Sequence, residues 1–225
     1  MKRKIFWIIF ISGVVLYLMY VYVIQPSVHA EGTIQTITCS DNKHTYALYL
    51  PKNFNKYRVY RVMFCFDPEG NGQIAVEQFK YAAEKYNWIL VGSNDAKNGP
   101  FGPIIEAQEA MLKDVQERYK VDDVNFCAAG FSGGARMSYA MAYLHPDNFK
   151  GVIACGAGFG VGNISRKIIV YHCIGETDPN LDEVKQAYNQ LKRMGVNTKL
   201  NVFKGGHEWP PTAVKQDAVD WLTSW

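Results

Sequence analysis

Gly130-Phe131-Ser132-Gly133-Gly134 follows the apolar, β-leaning run Val124-Asn125-Phe126-Cys127-Ala128-Ala129 and precedes the helix-compatible run Ala135 to Ala142. Strand, G-x-S-x-G, helix is the sequence form of a nucleophile elbow. The turn leaves no room for side chains at the two outer positions around the serine, so both of these flanks, Gly130 and Gly134, require glycine. The backbone there visits conformations that are costly for any residue with a Cβ. The Ser132 hydroxyl is then held at the tip of a sheet and at the N-terminus of a helix, where backbone N–H groups can stabilise a developing oxyanion.

The chain on either side of the elbow sets the fold class. Thr33–Cys39 and His44–Leu50 read as two strands joined by a turn at Asp41-Asn42-Lys43. Val59–Phe66 reads as a central strand, apolar on both faces toward its end. A helix over Ile74–Tyr86, a short buried strand over Trp88–Gly92 and a loop over Ser93–Pro103 come next. Ile104, Ile105, Met111, Leu112, Val115 and Tyr119 form one apolar face of a helix over Ile104–Lys120. Beyond the elbow, strands are predicted at Gly151–Gly156, Ile168–Ile174 and Lys199–Lys204. Between the last two, an amphipathic helix carries Leu181, Val184, Tyr188, Leu191 and Met194 and stops at Gly195; a final helix covers Thr212–Trp225. This alternation calls for an α/β fold: a mostly parallel, doubly wound sheet with the opening hairpin as its antiparallel edge. No inserted stretch is long enough for a separate lid domain.

A serine hydroxyl needs a base, and the base needs an orienting partner. On an elbow-bearing sheet these follow in the order Ser, Asp or Glu, His, in loops at the carboxyl ends of strands. Gly175-Glu176-Thr177-Asp178-Pro179 follows one predicted strand and offers Asp178 as the acid, with Glu176 in reserve. The plainer role for Asp178 is an N-cap of the next helix. Gly205-Gly206-His207-Glu208-Trp209 follows the last strand and offers His207 as the base. The other histidines fit less well. His44 sits in the hairpin, His172 inside a strand, His145 at the end of the elbow helix and His29 near a candidate cleavage point.

An oxyanion requires two backbone donors. Gly133, the residue after the serine, supplies one. The second is expected from Asp67-Pro68-Glu69-Gly70, with Glu69 the first choice and Gly70 the second, because Pro68 has no N–H. A glutamate side chain there should point away from the oxyanion. The Ser93–Pro103 loop leaves a strand placed next to the elbow strand, so Asn94, Lys97 and Asn98 are candidates for hydrogen bonds to a polar substrate; a solvated loop is the alternative.

Taken together, these residues make the chain resemble the α/β-hydrolases. Within them it resembles the small secreted esterases grouped with polyhydroxybutyrate depolymerases and feruloyl or acetylxylan esterases. The resemblance runs from about Thr33 to the C-terminus and is carried by Gly-Phe-Ser-Gly-Gly-Ala at 130–135 and Gly-Gly-His-Glu-Trp-Pro at 205–210. It implies that Trp209, beside the histidine, walls the acyl or alcohol pocket. One departure stands out: that group carries a His-Gly-Cys type sequence at the oxyanion loop, where this chain has Asp67-Pro68-Glu69-Gly70. The expected chemistry is cleavage of a small-molecule or polymer-borne carboxylic ester through an acyl-enzyme, without a cofactor or a metal. Two other readings use the same residues: a serine peptidase acting on short peptides, and a membrane-tethered binding module that has kept a hydrolase scaffold.

Composition narrows the rest. The formal net charge is +3 over 225 residues, and Lys2, Arg3 and Lys4 contribute three positive charges, so the remainder is near neutral. Without a basic stripe bearing interleaved aromatics, nucleic-acid binding has no support. Ile5 to Ile24 is an unbroken uncharged apolar run, and twenty helical residues rise about 30 Å, enough to cross a bilayer core. The basic flank keeps the N-terminus in the cytoplasm and sends the chain beyond Ile24 to the far side. Val28-His29-Ala30 before Glu31 has small residues where a signal peptidase needs them. Residues 1–30 therefore read as a signal anchor or a cleaved signal peptide, and residues 31–225 as one secreted or membrane-anchored domain. The five cysteines, Cys39, Cys65, Cys127, Cys155 and Cys173, show no metal-ligand spacing. They read as small core residues, with Cys65 near Cys127 or Cys173 as a possible adjacency.

Overall fold

Buried backbone must find its hydrogen bonds within the protein, and runs that are apolar on both faces find them in the middle of a sheet. The computed structural model describes residues 29–159 and 164–225. The run Ile5 to Ile24 lies outside them, and the expectation of an anchor or signal peptide lies outside them with it. Among the described residues no helix is long and apolar enough to cross a membrane.

Eight strands form one sheet: β1 (Ile34–Thr38), β2 (Thr45–Tyr49), β3 (Val62–Phe66), β4 (Ile89–Ser93), β5 (Phe126–Phe131), β6 (Phe149–Cys155), β7 (Ile169–Gly175) and β8 (Thr198–Phe203). Their spatial order is β1-β2-β4-β3-β5-β6-β7-β8. The pairs β1/β2 and β2/β4 are antiparallel and all the others parallel. Every residue of β3, β4 and β5 is buried, whereas the edge strands β1 and β8 are largely half-exposed. The hairpin turn forms as its residues dictate. Asp41 Oδ1 accepts the N–H groups of Lys43 (2.9 Å) and His44 (3.0 Å), and Asn42 takes a left-handed φ of 56°.

Among the described residues six helices cover the two faces: α1 (Gly72–Gln78), α2 (Lys80–Tyr86), α3 (Phe101–Arg118), α4 (Gly133–Leu144), α5 (Leu181–Arg193) and α6 (Thr212–Thr223). Alternate residues of each strand feed opposite cores. Phe64, Phe66, Phe126 and Ala128 join α3, α4 and α5 on one side. Met63, Cys65, Cys127 and Ala129 join α1, α2 and α6 on the other.

Several boundaries differ from the sequence reading. The helix expected over 74–86 is two helices, broken at Phe79 (φ −119°, ψ 13°), whose N–H donates to the Val76 carbonyl. The break lets the Phe79 ring, fully buried, enter the core beside Trp209. The third strand begins at Val62 rather than Val59; Val59 is 65% exposed, and Tyr60 makes only an isolated bridge to Val121. The α3 helix starts at Phe101, so Pro103 sits in its first turn, where the missing N–H would have had no acceptor in the helix. β4 does not neighbour the elbow strand, because β3 lies between them.

All five cysteines are free and buried. Cys173 stands across from Cys155 on β6, with the sulfurs 3.1 Å apart, and not beside Cys65. Burial pushes the Cys127 thiol up to about 12, in keeping with inert core thiols.

Candidate active site

The elbow is built by backbone contact. A Cβ placed on Gly134 would lie 2.2 Å from the Phe66 carbonyl oxygen, and one on Gly130 would lie 2.3 Å from the Gly134 oxygen. Only glycine lets α4 rest directly on the ends of β3 and β5. Ser132, between them, has φ 53° and ψ −119°, a strained region for a residue with a side chain. Its N–H donates to the Cys155 carbonyl at 2.8 Å, and the N–H of Gly156, just past the end of β6, donates to Cys173 O at 2.9 Å.

The two other loops are tied to each other. The N–H of Glu176 donates to Phe203 O (2.8 Å), and the N–H and hydroxyl of Thr177 both reach Gly205 O (3.0 and 2.9 Å). The structure brings Ser132, His207 and Asp178 into one chain of contacts. Ser132 Oγ lies 3.0 Å from His207 Nε2, and His207 Nδ1 lies 2.8 Å from Asp178 Oδ2. The Asp178 side chain is 1% exposed and that of His207 34%. Asp178 Oδ1 accepts the Asn180 N–H at 2.8 Å, so both carboxylate oxygens are engaged. It is not the cap of α5: Asn180 holds that position, without a side-chain cap bond. Glu176, the reserve acid, is exposed, and the imidazole turns to Asp178 instead.

Aromatic rings back the imidazole. Phe131, the second residue of the elbow motif, lies 4.8 Å from the His207 ring centroid. Trp209 packs on Phe131 at 5.3 Å and on Phe79 at 6.1 Å. Sequence reasoning missed Phe131, though its place between glycine and serine puts it at the sheet tip. It also missed Asn180, whose Nδ2 donates to Gly156 O at 2.9 Å and braces the acid loop against the strand next to the elbow.

The polar loops are placed differently from the sequence reading. Glu69 is exposed and points its side chain to solvent, but its N–H donates to Asp67 Oδ1 at 2.9 Å, and the Gly70 N–H donates to Asp67 O at 3.1 Å. Both N–H groups are thus engaged within the loop. Asn94 is also engaged: Oδ1 accepts the Gly72 N–H (3.2 Å) and Nδ2 donates to Thr45 Oγ1 (3.2 Å), so it braces the scaffold. Asn98, in contrast, reaches the elbow although its loop leaves β4. A Cβ on Gly133 would meet its carboxamide. Among the described residues no group of three or more His, Cys, Asp or Glu is placed to hold a metal ion.

Solved structures with the same architecture include a ferulic acid esterase, 17% identical with a TM-score of 0.67, matched over 85% of this chain and 97% of that one. The chain has the α/β-hydrolase fold. A hyperthermophilic esterase from the archaeon Pyrobaculum calidifontis is similar at 14% identity and a TM-score of 0.66, over 87% of this chain and 85% of that one. The Bacillus cereus carboxylesterase is similar at 14% identity and a TM-score of 0.63, over 82% and 96%. No protein-family model matches the sequence, and no curated protein matches it. On the α/β-hydrolase fold, ligands sit at the carboxyl ends of the strands, and that is where Ser132, Asp178 and His207 lie.

Proposed function

We propose that this chain is a serine hydrolase that cleaves carboxylic esters. The observation that carries the proposal is the contact series from Ser132 Oγ through the His207 ring to the buried Asp178 carboxylate. His207 Nε2 takes the Oγ proton as Oγ attacks the ester carbonyl. Asp178 accepts from Nδ1–H, holds that tautomer and stabilises the imidazolium. The N–H of Gly133, at the N-terminus of α4, is the donor assigned to the developing oxyanion. His207 then returns the proton to the departing alcohol, and water repeats the sequence on the acyl-enzyme. The names of the structurally similar proteins favour esters over peptides. The fold alone does not choose the bond, because one scaffold hosts many chemistries.

The deciding experiment compares Glu31–Trp225 with its Ser132→Ala variant on p-nitrophenyl esters from acetyl to decanoyl, beside an amino-acyl p-nitroanilide. Ser132-dependent ester turnover supports the proposal. Ser132-dependent anilide turnover moves the assignment to a peptidase, and indistinguishable proteins on every substrate leave a binding module.

We also propose, from the sequence of residues 1–30, that the hydrolase domain lies outside the cytoplasm, secreted or held by a single N-terminal segment. Protease accessibility of the domain in intact cells, spheroplasts and lysed cells tests this.

A further inference from the structure

The chemistry just proposed needs a second oxyanion donor, and the two residues expected to supply it, Glu69 and Gly70, have their N–H groups engaged. Pro68 has no N–H, and the N–H groups of Glu69 and Gly70 both donate to Asp67, itself only 6% exposed. Between this loop and the elbow stands the segment 94–98. The Asn98 N–H donates to Pro68 O at 2.8 Å. A Cβ on Gly70 would lie 3.0 Å from Asn94 O and 3.2 Å from Lys97 Cβ, so the two loops are in close contact. The segment is anchored at its base. Ser93 Oγ accepts the N–H groups of Asp95 (3.3 Å) and Ala96 (2.9 Å), and Asp95 Oδ2 accepts the Thr45 N–H at 2.7 Å.

The side chains of Asn94 and Asp95 hold this scaffold, while the Asn98 side chain is exposed and has no hydrogen bond to another described residue. Its carboxamide lies directly against the residue after the nucleophile. A Cβ on Gly133 would sit 1.8 Å from Asn98 Oδ1 and 3.3 Å from Nδ2. The G-x-S-x-G pattern does not itself require glycine at this position. Gly133 is explained by the carboxamide that fills the space a side chain would take.

Resting on the serine-hydrolase reading, we infer that the Asn98 carboxamide is the second oxyanion donor, acting with the N–H of Gly133 in place of the backbone N–H of Glu69 or Gly70. A primary amide offers two N–H donors on one rotatable group. In the acylation step the Oγ–C bond forms and the carbonyl π pair moves onto oxygen. The Oγ proton passes to His207 Nε2. Asn98 Nδ2 donates a hydrogen bond to the new oxyanion and transfers no proton.

The test uses the full chain with Asn98→Ala, the isosteric Asn98→Asp, and Ser132→Ala as reference, each checked for folding by circular dichroism. The readouts are kcat and KM on p-nitrophenyl acetate and the rate at which a fluorophosphonate, whose P=O occupies the oxyanion position, labels Ser132. Loss of one oxyanion donor lowers kcat by about 10²- to 10³-fold with KM nearly unchanged. We expect that split for Asn98→Ala, a matching slowing of phosphonylation, and a loss at least as large for Asn98→Asp, which places a carboxylate against the oxyanion. A kcat and labelling rate within about threefold of wild type, or a raised KM at constant kcat, overturns the inference and leaves Ser132-dependent hydrolysis standing. Absence of Ser132-dependent turnover and labelling in the wild type overturns the hydrolase reading and the inference together.

Discussion

The N–H of Ser132 donates to the carbonyl oxygen of Cys155 at 2.8 Å, so the residue at the tip of β5 is hydrogen-bonded to the end of β6. A backbone at φ 53° with a side chain attached costs on the order of 1–3 kcal/mol and persists only where its surroundings hold it. Here they do so on two sides: β6 binds the N–H, and the glycine contacts of α4 seat the helix on β3 and β5.

Gly134→Ala tests the second of these supports. Its Cβ would meet the Phe66 carbonyl oxygen at 2.2 Å, which is backbone and cannot swing aside. The helix must lift, and we expect a loss of at least about 1–3 kcal/mol in chemical denaturation, together with most of the Ser132-dependent activity. Gly133→Ala meets only the end of the Asn98 side chain, so its stability loss should be smaller while its activity loss stays large. Equal stability losses for the two would contradict this picture of the elbow.

Asp178→Asn keeps the size of the side chain and removes its charge. The His207 ring can then adopt the wrong tautomer, and the imidazolium loses its buried counter-charge. We expect kcat on esters to fall by about 10³- to 10⁴-fold with little change in the thermal midpoint. Glu176→Gln, at the exposed neighbouring acid, should stay within about twofold. Reversal of these two effects would move the acid to Glu176.

His172 is buried among Tyr139 and Tyr188, and burial lowers its pKa to about 3. The unfolded chain takes up a proton on this residue near pH 6.5, while the folded chain stays neutral. The unfolded state therefore binds more protons between those values, and stability falls as pH drops below about 6.5. One such group contributes a slope of up to about 1.4 kcal/mol per pH unit. Urea denaturation from pH 7 to 4.5 should show a steeper decline for wild type than for His172→Gln. Parallel curves would show that His172 is not the source.

Asp114 on α3 ties the helix to the first two strands. Its Oδ1 accepts the Ser40 N–H (2.9 Å) and hydroxyl (2.6 Å), and its Oδ2 accepts from Tyr46 (2.9 Å) and Arg118 (2.6 Å). Burial disfavours the charge, but the bonds from Arg118, Ser40 and Tyr46 prevail and hold the carboxyl below the usual carboxylate range. A lowered pKa means that the contribution is present above the unfolded value of about 3.9 and is lost as pH falls through the folded one. We expect Asp114→Ala to cost about 3–5 kcal/mol at pH 7, with the gap to wild type narrowing below pH 4. A gap that is constant with pH would assign the loss to packing.

The α/β alternation and the loops that bring Ser132, Asp178 and His207 together were legible because each rests on local rules. Period-two and period-3.6 patterns mark elements, and Gly-x-Ser-x-Gly marks a turn that few other sequences can make. The Asp178 and His207 loops follow from strand counting alone. The break at Phe79 was not legible, because a continuous helical pattern over 74–86 does not say that the Phe79 ring must turn into a core shared with Trp209.

The order of strands was hidden for a related reason. Consecutive strands are usually neighbours, but β4 stands between β2 and β3 and does not touch β5, and nothing in the composition of Trp88–Gly92 distinguishes the two places. That order decided the partner of Cys173, which is Cys155 on the adjacent strand. It also decided the site's polar groups: Asn94 and Asn98 are alike in sequence, and only the packing of their loop against residues 67–70 commits one to Gly72 and Thr45 and leaves the other against Gly133. The sequence by itself determined the elements, their alternation and the Ser132, Asp178 and His207 loops, since those depend on contacts short in sequence. The tertiary structure decided which backbone N–H groups and carboxamides remain free to meet a substrate, since a donor is free only if no distant residue has already taken it.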